Sequence, residues 1–343
     1  MKWMQPISRA LALCAALVLL SALAKPAKAG GLGADTINLF PKNVGEFAYA
    51  DLKTARSMKW FPALQEQMLP DKFKQFEKFL ASAGVDPNTQ VQELAWGLVA
   101  ETMATKKDGT AAGAGDVPDS EQIVGIALGN YNPDSTEAYF KQQKLATVKV
   151  SGYTLYAFGS GAGAGDLFFF FLDSNKAAFG QRQMLEKMID VHFGREEGLL
   201  RNDRLFNLIN EVNGSGVVWA VLDPSYTRLA MAQLAPEVQQ FPEAAKLIQR
   251  MQSMLITANA SSGLDGKFQA ICGSPTDANT LSQLMAAGLL YKKYQAKDNP
   301  DLGQLLDQTN VTPSGDRIVI RMNISDDQMT SLIRHNTFAF KMN

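Results

Sequence analysis

The chain has few of the residues that build disulfides and metal sites: its 343 residues include two cysteines and two histidines. Cys14 lies in the apolar N-terminal segment, so Cys272 is alone in the rest of the sequence and an internal disulfide is excluded there. A small, buried, unreactive side chain is therefore expected at Cys272. His192 and His335 have no second histidine or cysteine at ligand spacing, which argues against a metal site.

Catalytic sequence motifs are also missing. No G-x-S-x-G, H-E-x-x-H or phosphate-binding P-loop string occurs, and no cofactor is predicted. The sequence therefore argues against an enzyme. Because catalytic groups can converge from distant positions, acidic loops around Asp86 and from Asn130 to Asp134 keep open the alternative of an extracytoplasmic hydrolase.

Long apolar runs occur only at the N-terminus. Lys2 and Arg9 form a positive region, residues 10–24 form an apolar core, and Ala27-Lys28-Ala29 fits a signal-peptidase site. The apolar core is shorter than the roughly 20 residues that span a bilayer as a helix. The pattern predicts a Sec-type signal peptide over residues 1–29, cleaved after Ala29, and a periplasmic or extracellular location. A retained N-terminal anchor is the alternative.

Cleavage would remove four basic residues and no acidic one, taking the net charge from −1 to −5. A mildly acidic surface disfavours nucleic acid and anionic lipid as partners. No later apolar run is long enough to span a membrane. The remaining chain exceeds the usual size of one core, so we expect two α+β halves, residues 30–200 and 201–343.

Two similar segments indicate an internal repeat. The segment "GEFAYADL" predicts a strand that ends at Asp51, and "VVWAVLDPSYTRLA" predicts one that ends at Asp223. Arg56 lies five residues beyond Asp51, and Arg228 lies five residues beyond Asp223. The two pairs predict either helix caps followed by a first-turn charge or, less simply, a twofold polar site for an anion.

The order of the other segments supports this division. Each half reads approximately as strand, helix, strand, strand, helix, strand, which is the order of a split β-α-β or ferredoxin-like unit. The predicted fold is α+β with two similar halves, each a mainly antiparallel sheet with helices packed on one face.

The layout resembles a family of uncharacterised secreted bacterial proteins with a duplicated α+β domain. The resemblance lies in three segments: "LFPKNVGEFAYADL", "AGVDPNTQVQELAWG" and "RNDRLFNLINEVNGSGVVWAVLD". It covers most of the chain after the signal peptide, but it consists of apolar spacing and turns. The resemblance implies the architecture and implies no activity.

A glycine-rich segment, "GSGAGAGDLFFFFLD", is the nearest approach to a nucleotide motif. Gly159, Gly161 and Ala164 fit G-x-G-x-x-A after the strand "YTLYAF". A dinucleotide site needs a helix directly after this loop, whereas Asp166 and an aromatic run follow here. We therefore predict a hairpin loop.

The aromatic run places two rings on each face of a strand, because side chains alternate along it. Phe168, Phe169, Phe170 and Phe171 therefore predict a central strand covered on both sides, with the contact between the two halves as the second cover. The alternative is an open apolar face that binds a lipid or a peptide.

These observations predict an exported bacterial envelope protein that binds a hydrophobic ligand or a protein partner without catalysis. The candidate apolar face is Phe168 to Phe171, and the weaker polar sites are Asp51 with Arg56 and Asp223 with Arg228. A purely structural envelope component is a further alternative, and oligomeric state is not predicted.

Overall fold

The structure is a computed structural model that describes residues 31–68, 71–82, 84–101, 120–163, 165–234, 242–260, 263–296 and 300–335. The predicted signal peptide lies outside the described residues, and so do residues 105–119, whose Gly, Ala and Asp content predicts a surface loop.

One continuous antiparallel sheet of twelve strands runs through the described residues, in the order β11-β12-β10-β9-β8-β1-β2-β3-β7-β6-β5-β4. The strands are β1 (Glu46–Asp51), β2 (Val91–Glu101), β3 (Ser120–Gly129), β4 (Thr147–Val150), β5 (Tyr153–Phe158), β6 (Leu167–Phe171), β7 (Lys176–Gln181), β8 (Val218–Leu222), β9 (Ser253–Ala260), β10 (Gly263–Ile271), β11 (Asn310–Ser314) and β12 (Arg317–Ser325).

Helices connect these strands and cover the sheet. They are α1 (Ala34–Ile37), α2 (Leu52–Ala55), α3 (Phe61–Met68), α4 (Asp71–Ser82), α5 (Pro87–Gln90), α6 (Pro133–Gln142), α7 (Arg182–His192), a 3₁₀ turn (Leu199–Arg201), α8 (Asp203–Val212), α9 (Pro224–Leu234), α10 (Pro242–Gln249), α11 (Pro275–Gln295), α12 (Pro300–Gln308) and α13 (Asp326–Arg334).

The two faces of the sheet bury separate hydrophobic cores. Face A, which carries Trp96 and Phe169, packs against α2, α3, α4, α6, α9, α10, α11 and α13. Face B, which carries Tyr49 and Phe170, packs against α1, α7 and α8. Strands with apolar residues on both faces are expected to be covered on both faces, and the central strands follow this rule.

The two predicted halves meet at the pairing of β1 with β8, in which Tyr49 lies opposite Trp219. The two rings stack with centroids 5.4 Å apart, and both are fully buried. Outward from this pair, the strands run β8-β9-β10-β12-β11 on one side and β1-β2-β3-β7-β6-β5-β4 on the other. The second series contains a longer meander that ends in the phenylalanine strand β6.

The predicted α+β class with a mainly antiparallel sheet is confirmed. At the outer strands β10 and β12, helices cover one face only, and the opposite face carries polar residues such as Asp265 and Arg321. Near the middle of the sheet the expectation needs correction, because α7 and α8 cover the second face. The two similar halves stay a prediction. The order of the strands is similar on each side of the β1–β8 pairing, but the sheet is continuous.

Two helix starts that the sequence predicts lie at or close to the observed ones. Ser274 followed by Pro275 predicts the start of a helix. In the structure Ser274 accepts a hydrogen bond from Asp277 N at 3.1 Å and caps α11, whose first residue is Pro275. Asp134 with Glu137 three residues on predicts a capping box that opens a helix at Asp134. In the structure the cap of α6 is Asn132, which accepts from Ser135 N at 3.2 Å. Both residue types satisfy free N–H groups of a first helical turn, so neighbouring candidates compete.

Candidate interaction surface

The four phenylalanines of β6 lie inside the protein. Phe168 and Phe170 are 2% and 1% exposed on face B, and Phe169 and Phe171 are 5% and 7% exposed on face A. β6 is an inner strand between β5 and β7, and α7 supplies the cover on face B. The structure therefore offers no open apolar face at these rings.

Aromatic contacts on both sides hold this strand. The Phe170 ring lies 5.0 Å from Tyr153, and the Phe171 ring lies 5.6 Å from Tyr131. The Phe169 ring contacts Phe140 edge to face at 6.2 Å. Such pairs add about 0.5–1.5 kcal/mol each beyond the area that they bury. The run contributes to stability, and a ligand would have to displace core residues to reach it.

The glycine-rich loop is closed by its own carboxylate. Asp166 Oδ2 accepts hydrogen bonds from Gly161 N at 2.8 Å, Gly163 N at 3.1 Å and Ser160 Oγ at 2.9 Å. These are the N–H groups that a phosphate would need, and the negative carboxylate occupies them. The loop joins β5 to β6 as a hairpin connection, and no helix follows it.

The two residues of the first predicted polar pair, Asp51 and Arg56, bond to different parts of the protein. Asp51 accepts from Thr54 N at 2.8 Å and from Thr54 Oγ1 at 2.6 Å, which caps α2. The Arg56 guanidinium donates instead to the carbonyl oxygens of Val91 and Pro87 at 2.5 and 2.7 Å. Burial lowers the pKa of the Arg56 guanidinium, which the nearby Asp86 carboxylate partly offsets. Arg56 ties α2 and α5 to the start of β2.

The second predicted pair differs from the first. Asp223 caps α9 through Ser225 N at 2.7 Å and Tyr226 N at 2.9 Å, and burial raises its pKa. Arg228 is partly exposed, and its guanidinium donates to Ser225 Oγ at 3.3 Å. The two pairs lie on the same type of turn, but their arginines do not make equivalent contacts. The geometry supports caps at both places.

The acidic loop around Asp86, which was considered for a hydrolase, also contains a helix cap. Asp86 accepts from Asn88 N at 3.0 Å and from Thr89 Oγ1 at 2.9 Å, which caps α5. His335 pairs with Asp301 at 3.0 Å on the surface, and His192 packs beside Tyr153. Burial raises the pKa of the Cys272 thiol to about 11. No cluster of three or more His, Cys, Asp or Glu side chains able to hold a metal occurs in the described ranges.

A shallow cleft of about 290 Å³ lies where the turn before β1 meets the start of α8. Its polar lining includes Asn43, Asn202, Arg204 and Asp223. Three of these side chains already bond to the protein: Asn202 Nδ2 donates to Lys42 O, Arg204 to Gln252 O, and Asp223 caps α9. Few free polar groups are left to recognise a ligand.

Face A encloses two acidic residues that no sequence motif indicates. Glu46 begins β1 and is fully buried, and Glu121 lies near the start of β3 in a partly buried position. Burial and the Glu121 carboxyl raise the pKa of Glu46 well above its ordinary value. A signal was present: two-residue alternation places Glu46 on the same face as Ala48 and Ala50.

The surface carries an apolar stripe on α11 that the sequence analysis also missed. Phe193 and four residues of α11 are the exposed large hydrophobic side chains of the described residues. Those of α11 are Leu284 at 37%, Leu290 at 69%, Tyr291 at 58% and Tyr294 at 67% exposure. The first turns of the same helix carry Ala278 and Leu281, which are fully buried in the core.

The fold places the chain in a structural class: α+β proteins in which helices cover one wide antiparallel sheet. Within this class, it is similar to TP0453 from Treponema in crystal form III, with a TM-score of 0.50 and 11% identity over 88% of this chain and 99% of that chain. TP0453 in crystal forms I and IV gives a TM-score of 0.46 for each, at 13% and 10% identity. These two matches cover 90% and 88% of this chain and 100% and 97% of that chain.

No protein-family profile and no curated protein matches the sequence. The similarity to crystal form III therefore shows a shared fold and supplies no activity. No helix of the described residues is both long and apolar enough to cross a bilayer.

Proposed function

We propose that this chain is a non-catalytic interaction protein of the bacterial envelope, and that the exposed stripe of α11 is its contact surface. The observation that carries the proposal is the concentration of exposed Leu and Tyr side chains on this one helix. The predicted signal peptide supports the location. The partner is a protein that presents an amphipathic helix.

The spacing of the stripe supports a helical partner. Leu284, Ala287, Tyr291 and Tyr294 are separated by three, four and three residues, and all are exposed. This is the 3-4 spacing that packs against a second helix in coiled coils and in helix-groove complexes. A helix that is apolar on both sides is normally buried on both. The sheet and α12 contact α11, but every residue from Leu290 to Gln295 is exposed, so this end of the helix is available to a partner.

The size of the stripe also fits a contact surface. Aromatic side chains have about 150–250 Å² to bury, so the two tyrosines together present on the order of 250 Å². Leu284 and Leu290 enlarge this area toward the 300–600 Å² that is typical of the largest apolar patch on a monomer. Tyrosine is also enriched among the residues that dominate binding energy.

The charges around the stripe favour a protein over an anionic membrane. Lys293 forms an ion pair with Asp307 of α12, which neutralises much of its charge locally. Binding to anionic lipid depends on several basic residues near the surface. The calculated net charge after signal cleavage is negative, which opposes such binding further.

Site-specific photo-crosslinking in the producing cell tests the proposal. A photoreactive residue replaces Tyr291 in the stripe, and a matched control replaces Glu243, an exposed residue of α10. We expect a discrete protein adduct from position 291 and none from position 243. Leu290→Asp placed in the crosslinking variant should remove the adduct, because a desolvated carboxylate opposes apolar contact.

Three results would contradict the proposal: adducts with lipid alone, equal adducts from both positions, or an adduct that survives Leu290→Asp. Thermal unfolding of the Leu290→Asp variant is the folding control. Since Leu290 is 69% exposed, we expect the midpoint to change little.

A further inference from the structure

Two acidic side chains are enclosed between the sheet and the first turn of α9. Glu46 of β1 is 0% exposed, and Glu121 of β3 is partly buried. Tyr226 of α9 covers them and is 2% exposed, and Trp96 of β2 is 1% exposed. Charged carboxylates are rare in such surroundings unless cations or several hydrogen bonds compensate them.

Strand register places the acids on the same face. Glu46 pairs with Leu98 of β2, and Glu121 pairs with Ala100, two residues further along the same strand. Their backbones are thus two strands apart and offset by two residues along the strand, which is about 12 Å at the usual strand dimensions. Glutamate side chains can shorten this separation from both ends. Burial raises the pKa of the Tyr226 hydroxyl, and the nearby carboxyls of Glu121 and Glu46 raise it further.

The first turn of α9 packs directly onto this region. A Cβ atom at Gly45 would come within 2.8 Å of the Tyr226 ring, so the ring lies against the chain entering β1. The N–H of Trp96 lies close to the Glu46 carboxyl, and the Tyr226 hydroxyl has no hydrogen-bond partner among the described residues. The Tyr226 hydroxyl is therefore enclosed beside the two acids without a compensating hydrogen bond from the residues that the structure describes.

The charged groups that face the pair are mostly acidic. Burial raises the pKa of Glu46. The carboxyls of Glu121 and Asp223 raise this pKa further, and the N–H of Trp96 opposes the rise. Burial raises the pKa of Glu121 to about 7. The two arginines of this region, Arg204 and Arg228, act on Asp223.

We propose that Glu46 and Glu121 form a proton-dependent latch, in which the enclosed pair keeps at least one proton and thereby allows α9 to pack against the sheet. Loss of that proton places two negative charges beneath Tyr226 and loosens α9. Groups coupled in this way titrate as a pair.

The direction of the pH effect follows from linkage. A carboxyl whose folded pKa lies above its unfolded pKa binds more protons in the folded state between the two values. Stability from this pair is therefore fully present below the ordinary glutamate pKa of 4.5. It is lost as the pH rises toward the folded value, which is about 7 for Glu121.

Hydrogen exchange resolved by peptide tests the latch in the full chain. From pH 5.5 to 8.5, we expect the protection of α9, corrected for intrinsic exchange, to fall about tenfold or more. A rise of the Glu121 pKa from 4.5 to about 7 alone would predict a larger fall, and we reduce it because Glu121 is partly exposed. Protection of α7 on the opposite face is the internal reference. In the double variant Glu46→Gln, Glu121→Gln, the fall at α9 should be at most about twofold, because neutral amides replace both acids.

Glu243→Gln on α10 is the matched control, since Glu243 is exposed and forms an ion pair with Lys246 of its own helix at 2.8 Å. It should retain the wild-type pH response. A wild-type α9 whose protection does not fall with pH would overturn the latch. An equal fall in the double variant would overturn it too.

Infrared spectroscopy of the wild type provides a second test that does not need a stable variant. We expect an absorption band of a protonated buried carboxyl at pH 6 that weakens by pH 9. Each single Glu→Gln variant that folds should reduce the band. A folded wild type without this band at pH 6 would contradict the proposal.

Discussion

Replacement of Phe170 by alanine tests whether the phenylalanine strand is core. The ring is 1% exposed, lies on face B and contacts Tyr153 at a centroid distance of 5.0 Å. A buried phenylalanine removes about 150–250 Å² from water, which at roughly 25 cal/mol per Å² corresponds to about 4–6 kcal/mol. Measured Phe→Ala losses in cores are about 3–5 kcal/mol. We therefore expect Phe170→Ala to reduce the free energy of unfolding by about 4 kcal/mol.

The control for this variant is Phe193→Ala. Phe193 is 49% exposed, and Arg195 lies over its ring at 4.8 Å. We expect a loss of about 1 kcal/mol or less, because half of the ring is already in water and an exposed cation–π contact contributes about 0.5–1 kcal/mol.

Urea unfolding followed by far-ultraviolet circular dichroism measures both variants. The midpoint should move much further for Phe170→Ala than for Phe193→Ala, while the slope stays similar for both. Equal small shifts would refute the assignment of Phe170 to the core. They would indicate that the ring lies on an accessible face, as the alternative interpretation of the sequence requires.

Three further predictions follow from local geometry. Asp166→Ala should reduce the free energy of unfolding by about 1–3 kcal/mol, because it leaves the loop N–H groups without their acceptor, and phosphate should not raise the melting temperature of the wild type. Gly180→Ala should destabilise more than Gly194→Ala in urea titrations, since a Cβ at Gly180 would lie 2.4 Å from Ile123 O whereas Gly194 faces open space. Cys272 should react with a thiol reagent at the rate of unfolding at neutral pH, and rapid labelling of the folded protein would contradict its buried position.

Much of the local structure could be predicted because its causes are local. Alternating side chains predicted the strands that became β5 and β6, and Ser274 followed by Pro275 predicted the start of α11. Asp51 and Asp223 were correctly interpreted as caps, since a carboxylate next to free N–H groups needs only its own turn. The hairpin at Asp166 also depends on residues within one loop.

The candidate surface could not be predicted in the same way. The apolar residues of α11 are similar on both sides of the helix, so the pattern alone does not show which side packs on the sheet. Its first turns are buried at Ala278 and Leu281, whereas every residue from Leu290 to Gln295 is exposed, because the sheet and the neighbouring helices cover the beginning of the helix. Likewise, Arg56 bonds to carbonyl groups about thirty residues away, which depend on where β2 pairs.

The sequence by itself determined the secondary structure, the caps and the need to cover both faces of the phenylalanine strand, because these properties arise from neighbouring residues. The tertiary structure decided which partners supply the cover: α7 lies over Phe170, and Tyr226 encloses Glu46 beside Glu121. These outcomes depend on strand order in a twelve-stranded sheet. Pairing between distant strands is set by the packing of the whole core, and short segments of sequence do not encode it.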